Sequence, residues 1–248
     1  MNRQDADAYC RNRAAPPGSS FYYSTLYYPD PLRRDLHALH ALGTELEVIL
    51  EECSDPGVMH MKLAWWGDEI TRLYQHAARH PVSLALDSVI SRHGIQEPQL
   101  LQLIHNFAPL IALPQHRTWQ ERLPDLARGP GLVWRLSAEI CGHLAAETPM
   151  LAAETGGLIS CFHLLQQSAP PEPALAVQIR GIQERLEHNC GIFPATDRYR
   201  QLHVLIMGHI ISNTCREFLR NDRLQDRRLA LTPLRKLWIA WRLQRRYR

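Results

Sequence analysis

Residues 30–52 read DPLRRDLHALHALGTELEVILEE, and leucines recur along them at intervals of three and four. These leucines are Leu32, Leu36, Leu39, Leu42, Leu46 and Leu50. The spacing matches one face of an α-helix, on which residues three and four apart lie side by side. Pro56 and Gly57 follow, and both residue types interrupt helices. The sequence therefore predicts one long amphipathic helix over about 30–52.

The same periodicity continues along most of the chain. Further helices are predicted over about 57–76, 81–91, 100–111, 132–145, 149–167, 173–189, 196–220 and 232–246. Residues 114–131 are rich in proline and glycine and are expected to be irregular, and the stretch SAPPEP at 168–173 is expected to form a loop. Pro109 is expected to kink its helix or end it early. No alternating apolar run predicts a strand, so the predicted fold is all-α, with one domain over residues 1–248.

Composition limits the classes of protein to which the chain can belong. The 248 residues are 45% hydrophobic and 21% charged, which is ordinary for a soluble globular protein. A net charge of +3 does not indicate nucleic-acid binding, and no nucleic-acid partner is expected. No apolar run is long enough for a membrane-spanning helix, and the polar N-terminus lacks the apolar core of a signal peptide. Six scattered cysteines without a CxxC pair predict reduced thiols in a cytoplasmic protein.

Several segments carry a resemblance to a known family. They are SSFYY at 19–23, EVILEECSDPG at 47–57, KLAWW at 62–66, RHPV at 79–82 and LTPLRKLWIAWR at 231–242. Together they resemble the squalene/phytoene synthase family, and the last segment resembles the end of proteobacterial members. The resemblance implies an isoprenoid-synthase fold, a helical bundle around a central cavity.

Active members of that family join two prenyl diphosphates head to head. The resemblance implies that Mg²⁺, held by two DxxxD motifs on facing helices, neutralises the departing diphosphate. The first motif falls on Glu47 and Glu51, which share one helix face because they are four residues apart. Both are glutamate instead of aspartate, and Thr44 replaces a neighbouring arginine of the family. Glu47 and Glu51 are therefore candidate Mg²⁺ ligands only if the protein is active.

The rest of the family site is replaced by residues without a carboxylate. The second motif is expected near 163–171, which contains His163 and Gln167 but no acidic residue. A pocket glycine of active members aligns with Trp134, whose indole is expected to fill space that a prenyl chain needs. The residues expected to line the cavity are His40, Thr44, Trp134, His163 and Gln167.

Two interpretations of the function follow from these replacements. The first is a non-catalytic member, comparable to the phytoene-synthase-like assembly factor of respiratory complex I. It would bind an isoprenoid- or lipid-like ligand or act as an assembly or scaffold factor for a protein partner, and no cofactor is expected. The second is a Mg²⁺-dependent head-to-head prenyltransferase that condenses two prenyl diphosphates. The number of carboxylates that face the cavity distinguishes the two.

The C-terminal helix, residues 232–248, is basic and amphipathic. Leu234, Leu237, Trp238 and Trp241 form an apolar face, and the surrounding basic residues are Arg235, Lys236, Arg242, Arg245, Arg246 and Arg248. Such a helix suits an anionic membrane surface. Trp238, Trp241, Arg242, Arg245 and Arg246 are therefore candidates for contact with the inner face of a membrane. Alternatively, both tryptophans pack into the domain and the last arginines form a solvated tail.

Overall fold

The described residues form α-helices joined by turns, and no β-strand occurs among them. The structure is a computed structural model that describes residues 3–112, 117–167, 172–220 and 230–248. In chain order the helices are α1 Arg3–Ala14, α2 Ser20–Thr25, α3 Asp30–Glu52, α4 Pro56–Tyr74, α5 Pro81–His93, α6 Glu97–Ile111, α7 Trp119–Arg128, α8 Pro130–Cys141, α9 Thr148–Gln167, α10 Glu172–Ile192, α11 Leu202–Arg220 and α12 Pro233–Tyr247. The prediction of a single all-α domain is confirmed.

Helix α3 has the bounds that its leucines predict and lies at the centre of the bundle. Leu36, Leu39, Leu42 and Leu46 are fully buried, where α3 packs against α1, α4, α5, α6 and α8. After its end, Oδ1 of Asp55 accepts hydrogen bonds from the amides of Gly57 and Val58, at 2.7 and 3.3 Å, and so caps α4. The packing of α3 therefore fixes the positions of the polar side chains on its other face.

The expectation that residues 114–131 are irregular is wrong, because they contain α7; residues 114–116 lie outside the described part. Thr118 and Glu121 start α7 as a capping box, in which the Glu121 carboxylate accepts from the Thr118 amide at 2.8 Å. Pro124 lies inside α7, and Pro109 lies inside α6, which continues to Ile111. Packing of α7 against α9 and of α6 against α4 offsets the cost of these prolines.

Other helix boundaries differ from the sequence prediction for local reasons. Helix α8 ends at Cys141 because Gly142 takes a positive φ of 75°. Helix α11 begins at Leu202 instead of 196, since Asp197 holds the preceding turn. Its carboxylate accepts from the Leu144 amide at 2.8 Å and from Oγ1 of Thr148 at 2.5 Å. Helices α1 and α2 are not predicted by the periodicity, and residues 168–171 of the expected loop lie outside the described part.

Helices α8 and α9 approach each other closely through glycines. A Cβ atom on Gly131 would lie 2.3 Å from the carbonyl oxygen of Ala153. A Cβ atom on Gly156 would lie 2.1 Å from Cδ1 of Trp134, so the indole rests directly on the α9 backbone. This contact fixes Trp134 against the face of α9 that looks toward α3.

Candidate functional site

The two candidate cation ligands on α3 face α9 across a narrow cleft. Oε1 of Glu47 accepts a hydrogen bond from Oγ of Ser160 at 3.1 Å. Oε1 of Glu51 accepts a hydrogen bond from Nε2 of Gln167 at 3.0 Å. Ser160 and Gln167 both belong to α9, the helix on which the resemblance places the second acidic motif. Each glutamate therefore faces a neutral donor instead of a second carboxylate.

The electrostatics of Glu47 differ from those of an ordinary surface glutamate. Burial, opposed by the Ser160 hydrogen bond and supported by the Glu51 carboxylate, raises the pKa of Glu47 to about 7. A carboxyl group with that pKa is partly protonated near neutral pH when no cation is bound, so a cation would have to displace this proton. No group of three or more His, Cys, Asp or Glu that could hold a metal ion occurs within the described ranges. This donor set does not fit the Mg²⁺ cluster that the resemblance implies.

Deeper in the cleft the lining is aromatic. The cavity has a volume of about 140 Å³, and of the residues expected to line it, His40, Thr44, Trp134 and His163 do so. Gln167 lies outside this lining, at the hydrogen bond with Glu51. Pockets for small ligands commonly measure about 300–1,000 Å³. This cleft is smaller than that range.

Aromatic rings fill the centre of the bundle where the cleft ends. The ring centroids of Phe21 and His40 are 4.1 Å apart, and those of His40 and Trp134 are 4.7 Å apart with near-perpendicular planes. Trp134 also stacks on His203 at 6.0 Å with an interplanar angle of 5°. The indole of Trp134 is only 7% exposed. The indole therefore fills part of the centre of the bundle, between His40 and His203.

The imidazoles around this centre are buried and neutral. Burial lowers the pKa of His203 to about 3 and, with help from Arg33 and Arg11, that of His37 to about 4. Burial and the neighbouring histidines hold the pKa of His40 well below its usual range. His203 is fixed by Oγ of Ser137, 3.0 Å from its Nε2, whereas Nε2 of His40 is buried without a hydrogen-bond partner. The centre therefore supplies no cation for a diphosphate.

Some residues of the cleft were not identified from the sequence. Ser160 meets Glu47 from a position 113 residues away. His203, which stacks on Trp134, is fully buried, and its Nδ1 lies 3.0 Å from the hydroxyl of Tyr28, 175 residues away. No local spacing in the sequence indicates either contact.

A family model described as squalene/phytoene synthase matches residues 14–160, which is more than half of the chain. The chain belongs to the squalene/phytoene synthase family. The crystal structure of a dehydrosqualene synthase in complex with ligand has a TM-score of 0.74 and 14% identity, covering 98% of this chain and 97% of that one. Squalene synthase HpnC from Alicyclobacillus acidocaldarius has a TM-score of 0.56 and 18% identity, covering 99% and 95%. Both likenesses show the isoprenoid-synthase fold.

One curated relative of this squalene/phytoene synthase family member is named as an assembly factor instead of a synthase. It is the NADH dehydrogenase (ubiquinone) complex I, assembly factor 6, of Mus musculus. The two are 21% identical over 158 residues, which are 62% of this chain and 47% of the relative. The chain thus spans about half the length of the curated relative that it matches. Proteins similar to this one are therefore named both as synthases and as an assembly factor.

The C-terminal helix α12 turns its tryptophans away from the bundle. Trp238 is 52% exposed and Trp241 is 45% exposed, so the alternative in which both pack into the domain is wrong. The inward face consists of Ile239, Ala240 and Leu243, packed against α2 and α11. Lys236, expected among the outer basic residues, is buried and donates to the carbonyl oxygen of Gly18 at 3.0 Å. No described helix is both long and apolar enough to cross a membrane.

Proposed function

We propose that this squalene/phytoene synthase family member is non-catalytic. In this proposal it holds an isoprenoid- or lipid-like ligand or acts as an assembly or scaffold factor for a protein partner. The observation that supports this most is the pairing of Glu47 with Ser160 and of Glu51 with Gln167. Head-to-head condensation must neutralise departing diphosphates with hard cations held between opposed carboxylates. The described part of the cleft offers one acidic cluster where that chemistry requires two.

The size and polarity of the cleft define the ligand in this proposal. A volume of about 140 Å³ accepts one end of an isoprenoid, and the surroundings disfavour a charged end because Trp134, His40 and Phe21 fill the deep part. Nε2 of His40 lacks a partner, and a neutral imidazole nitrogen can accept a hydrogen bond from a hydroxyl. The ligand class is therefore an apolar chain that ends in an uncharged polar group.

Similarity to the mouse complex I assembly factor supports the scaffold part of the proposal. The match covers 62% of this chain and only 47% of the relative, so the protein partner is itself a proposal. A position at the inner face of a membrane belongs to the same proposal.

A second candidate function is the Mg²⁺-dependent prenyltransferase. It is favoured by the arrangement of Glu47 and Glu51, which both line one small pocket between α3 and α9. In that case the two carboxylates would hold Mg²⁺ against the diphosphate of a prenyl substrate.

Turnover with prenyl diphosphates separates the two functions. The purified full chain is incubated with farnesyl and geranylgeranyl diphosphates, Mg²⁺ and NADPH, and pyrophosphate and C30 or C40 products are measured. We expect no turnover above a blank, and the same result for the Glu47→Gln, Glu51→Gln double variant. Turnover that the double variant abolishes, with the helical circular dichroism unchanged, would establish the prenyltransferase.

Calorimetric titration with farnesol and with farnesyl diphosphate tests the ligand class. We expect farnesol to bind at least as tightly as the diphosphate and both affinities to be independent of Mg²⁺. A diphosphate that binds only with Mg²⁺ would contradict the proposed neutral ligand. The His40→Leu variant, which removes the unpartnered nitrogen, should bind farnesol more weakly, while Leu144→Ala at an exposed site should not.

A further inference from the structure

The outer face of α12 is apolar, and no residue of the described ranges covers it. Leu234, Leu237, Trp238 and Trp241 are all exposed, and their spacing places them side by side on the helix. A contiguous exposed apolar patch of this kind usually marks an interaction site. Tryptophan in such a patch favours a membrane–water boundary, because its ring is apolar and its N–H is polar.

A polar cleft of about 250 Å³ opens beside this face, between α11 and α12. Its lining includes Arg216, Arg242, Arg246, His209, Asn213 and Trp238. Trp238 also belongs to the exposed apolar face, and Cζ of Arg242 lies 5.2 Å from the centroid of its ring. The cationic cleft and the apolar face are therefore continuous.

Positive charge exceeds negative charge in this cleft. Among the lining residues that the structure describes, Glu187 carries the one carboxylate, and its Oε1 accepts from Nη2 of Arg216 at 2.6 Å and from Oγ of Ser212 at 2.8 Å. The negative charge of Glu187 compensates the positive charge of Arg216. The guanidinium groups of Arg242 and Arg246 therefore give the described lining a net positive charge. Burial, together with Arg246 and Arg242, lowers the pKa of His209, which is consistent with a positive potential at that point.

We infer that the α11–α12 cleft binds the phosphate group of an anionic phospholipid while Trp238 and Trp241 enter the same membrane surface. Guanidinium groups recognise phosphate through paired N–H donors. The sequence from Pro233 to Arg248 contains no acidic residue that would repel such a surface. The occupant is thus an anionic bilayer, and the inference does not depend on whether the α3–α9 cleft is catalytic.

Vesicle co-sedimentation of the full chain tests this inference. Vesicles of phosphatidylcholine with phosphatidylglycerol are expected to bind the protein about tenfold or more tightly than phosphatidylcholine alone, and the difference should shrink at high salt. The double variant Arg242→Gln, Arg246→Gln should lose about tenfold or more of that affinity. The matched control Arg3→Gln, Arg34→Gln makes the same change in net charge on α1 and α3 and should keep it.

A second pair of measurements distinguishes a lipid from free phosphate. The double variant Trp238→Ser, Trp241→Ser should also lose about tenfold or more in vesicle affinity, because the indoles contribute apolar burial. Inorganic phosphate should not release the wild-type protein from vesicles. Release by phosphate with no effect of the tryptophan changes would overturn the inference in favour of a soluble anion. Equal binding to both kinds of vesicle would also overturn the inference, and so would an equal loss of vesicle affinity in the Arg3→Gln, Arg34→Gln control. If the protein bound no vesicles, the inference would be wrong and an acidic protein would remain as the partner of this surface.

Discussion

The α3–α9 cleft and the α11–α12 cleft belong to the same bundle but differ in charge. In the first, Glu47 and Glu51 face neutral donors, and neutral imidazoles surround Trp134. In the second, arginines exceed carboxylates beside an exposed indole. Burying an ion costs free energy unless partners compensate it, whereas an ion at the surface stays hydrated. The comparison shows that this bundle keeps its buried cleft largely neutral and carries its excess positive charge at a surface cleft.

The largest difference between the two clefts should be in the contributions of Trp134 and Trp238 to stability. Trp134→Ala is expected to lower the free energy of unfolding by about 3–5 kcal/mol, because it removes a buried ring packed between α8 and α9. Trp238→Ala, on the exposed face of α12, should change it by less than about 0.5 kcal/mol. Urea denaturation of both variants measures the difference. Equal losses of stability in the two variants would contradict the difference between a buried and an exposed tryptophan.

The buried histidines of the first cleft should make the protein sensitive to acid. The folded-state pKa values of His37, His40 and His203 lie below the ordinary value of 6.5. The unfolded chain therefore binds more protons below pH 6.5, and stability that is present above this pH is lost as the pH falls. Each histidine should contribute about 1 kcal/mol between about pH 7.5 and 5.5.

Urea midpoints at these two pH values measure the acid effect. His203→Gln should reduce the pH dependence by about 1 kcal/mol, whereas His60→Gln at an exposed site of α4 should leave it unchanged. Midpoints that do not shift with pH in the wild-type protein would contradict neutral buried imidazoles.

Titration of Glu47 should change the free energy of unfolding in the opposite direction from the histidines, and by a smaller amount. Its folded pKa of about 7 lies above the ordinary glutamate value of 4.5, so the folded protein binds more protons between these values. The free energy of unfolding therefore falls as the pH rises through this window. Glu47→Gln should be more stable than wild type by about 1 kcal/mol near pH 8 and about equal near pH 4, since partial exposure to the cleft screens the carboxylate.

The exposed Glu51 provides the control for this measurement. Glu51→Gln should change the free energy of unfolding by less than about 0.5 kcal/mol at both pH values. A Glu47→Gln variant that is less stable than wild type near pH 8 would show that the Glu47 carboxylate is ionised and compensated, as a cation site requires.

The helices that repeat apolar residues at intervals of three and four were predictable within a few residues. Helix α3 has the predicted bounds because its leucines, its N-terminal Pro31 and the following Asp55 all act over a few residues of chain. Helix α7 was missed because Pro124 lies inside it, although Thr118 and Glu121 form a capping-box pattern that the sequence shows. The start of α11, in contrast, depends on amides near residue 144.

The sequence by itself determined the all-α class, the resemblance to the family and the basic character of the last helix. Only the tertiary structure decided that Ser160 meets Glu47, that Trp134 stacks on His203, and that Trp238 faces outward. The physical reason is that a sequence pattern shows which residues share one face of a helix, whereas packing between helices decides which element that face contacts. Helix α12 has apolar residues on two faces, and the surfaces of α2 and α11 select Ile239 and Leu243 for burial.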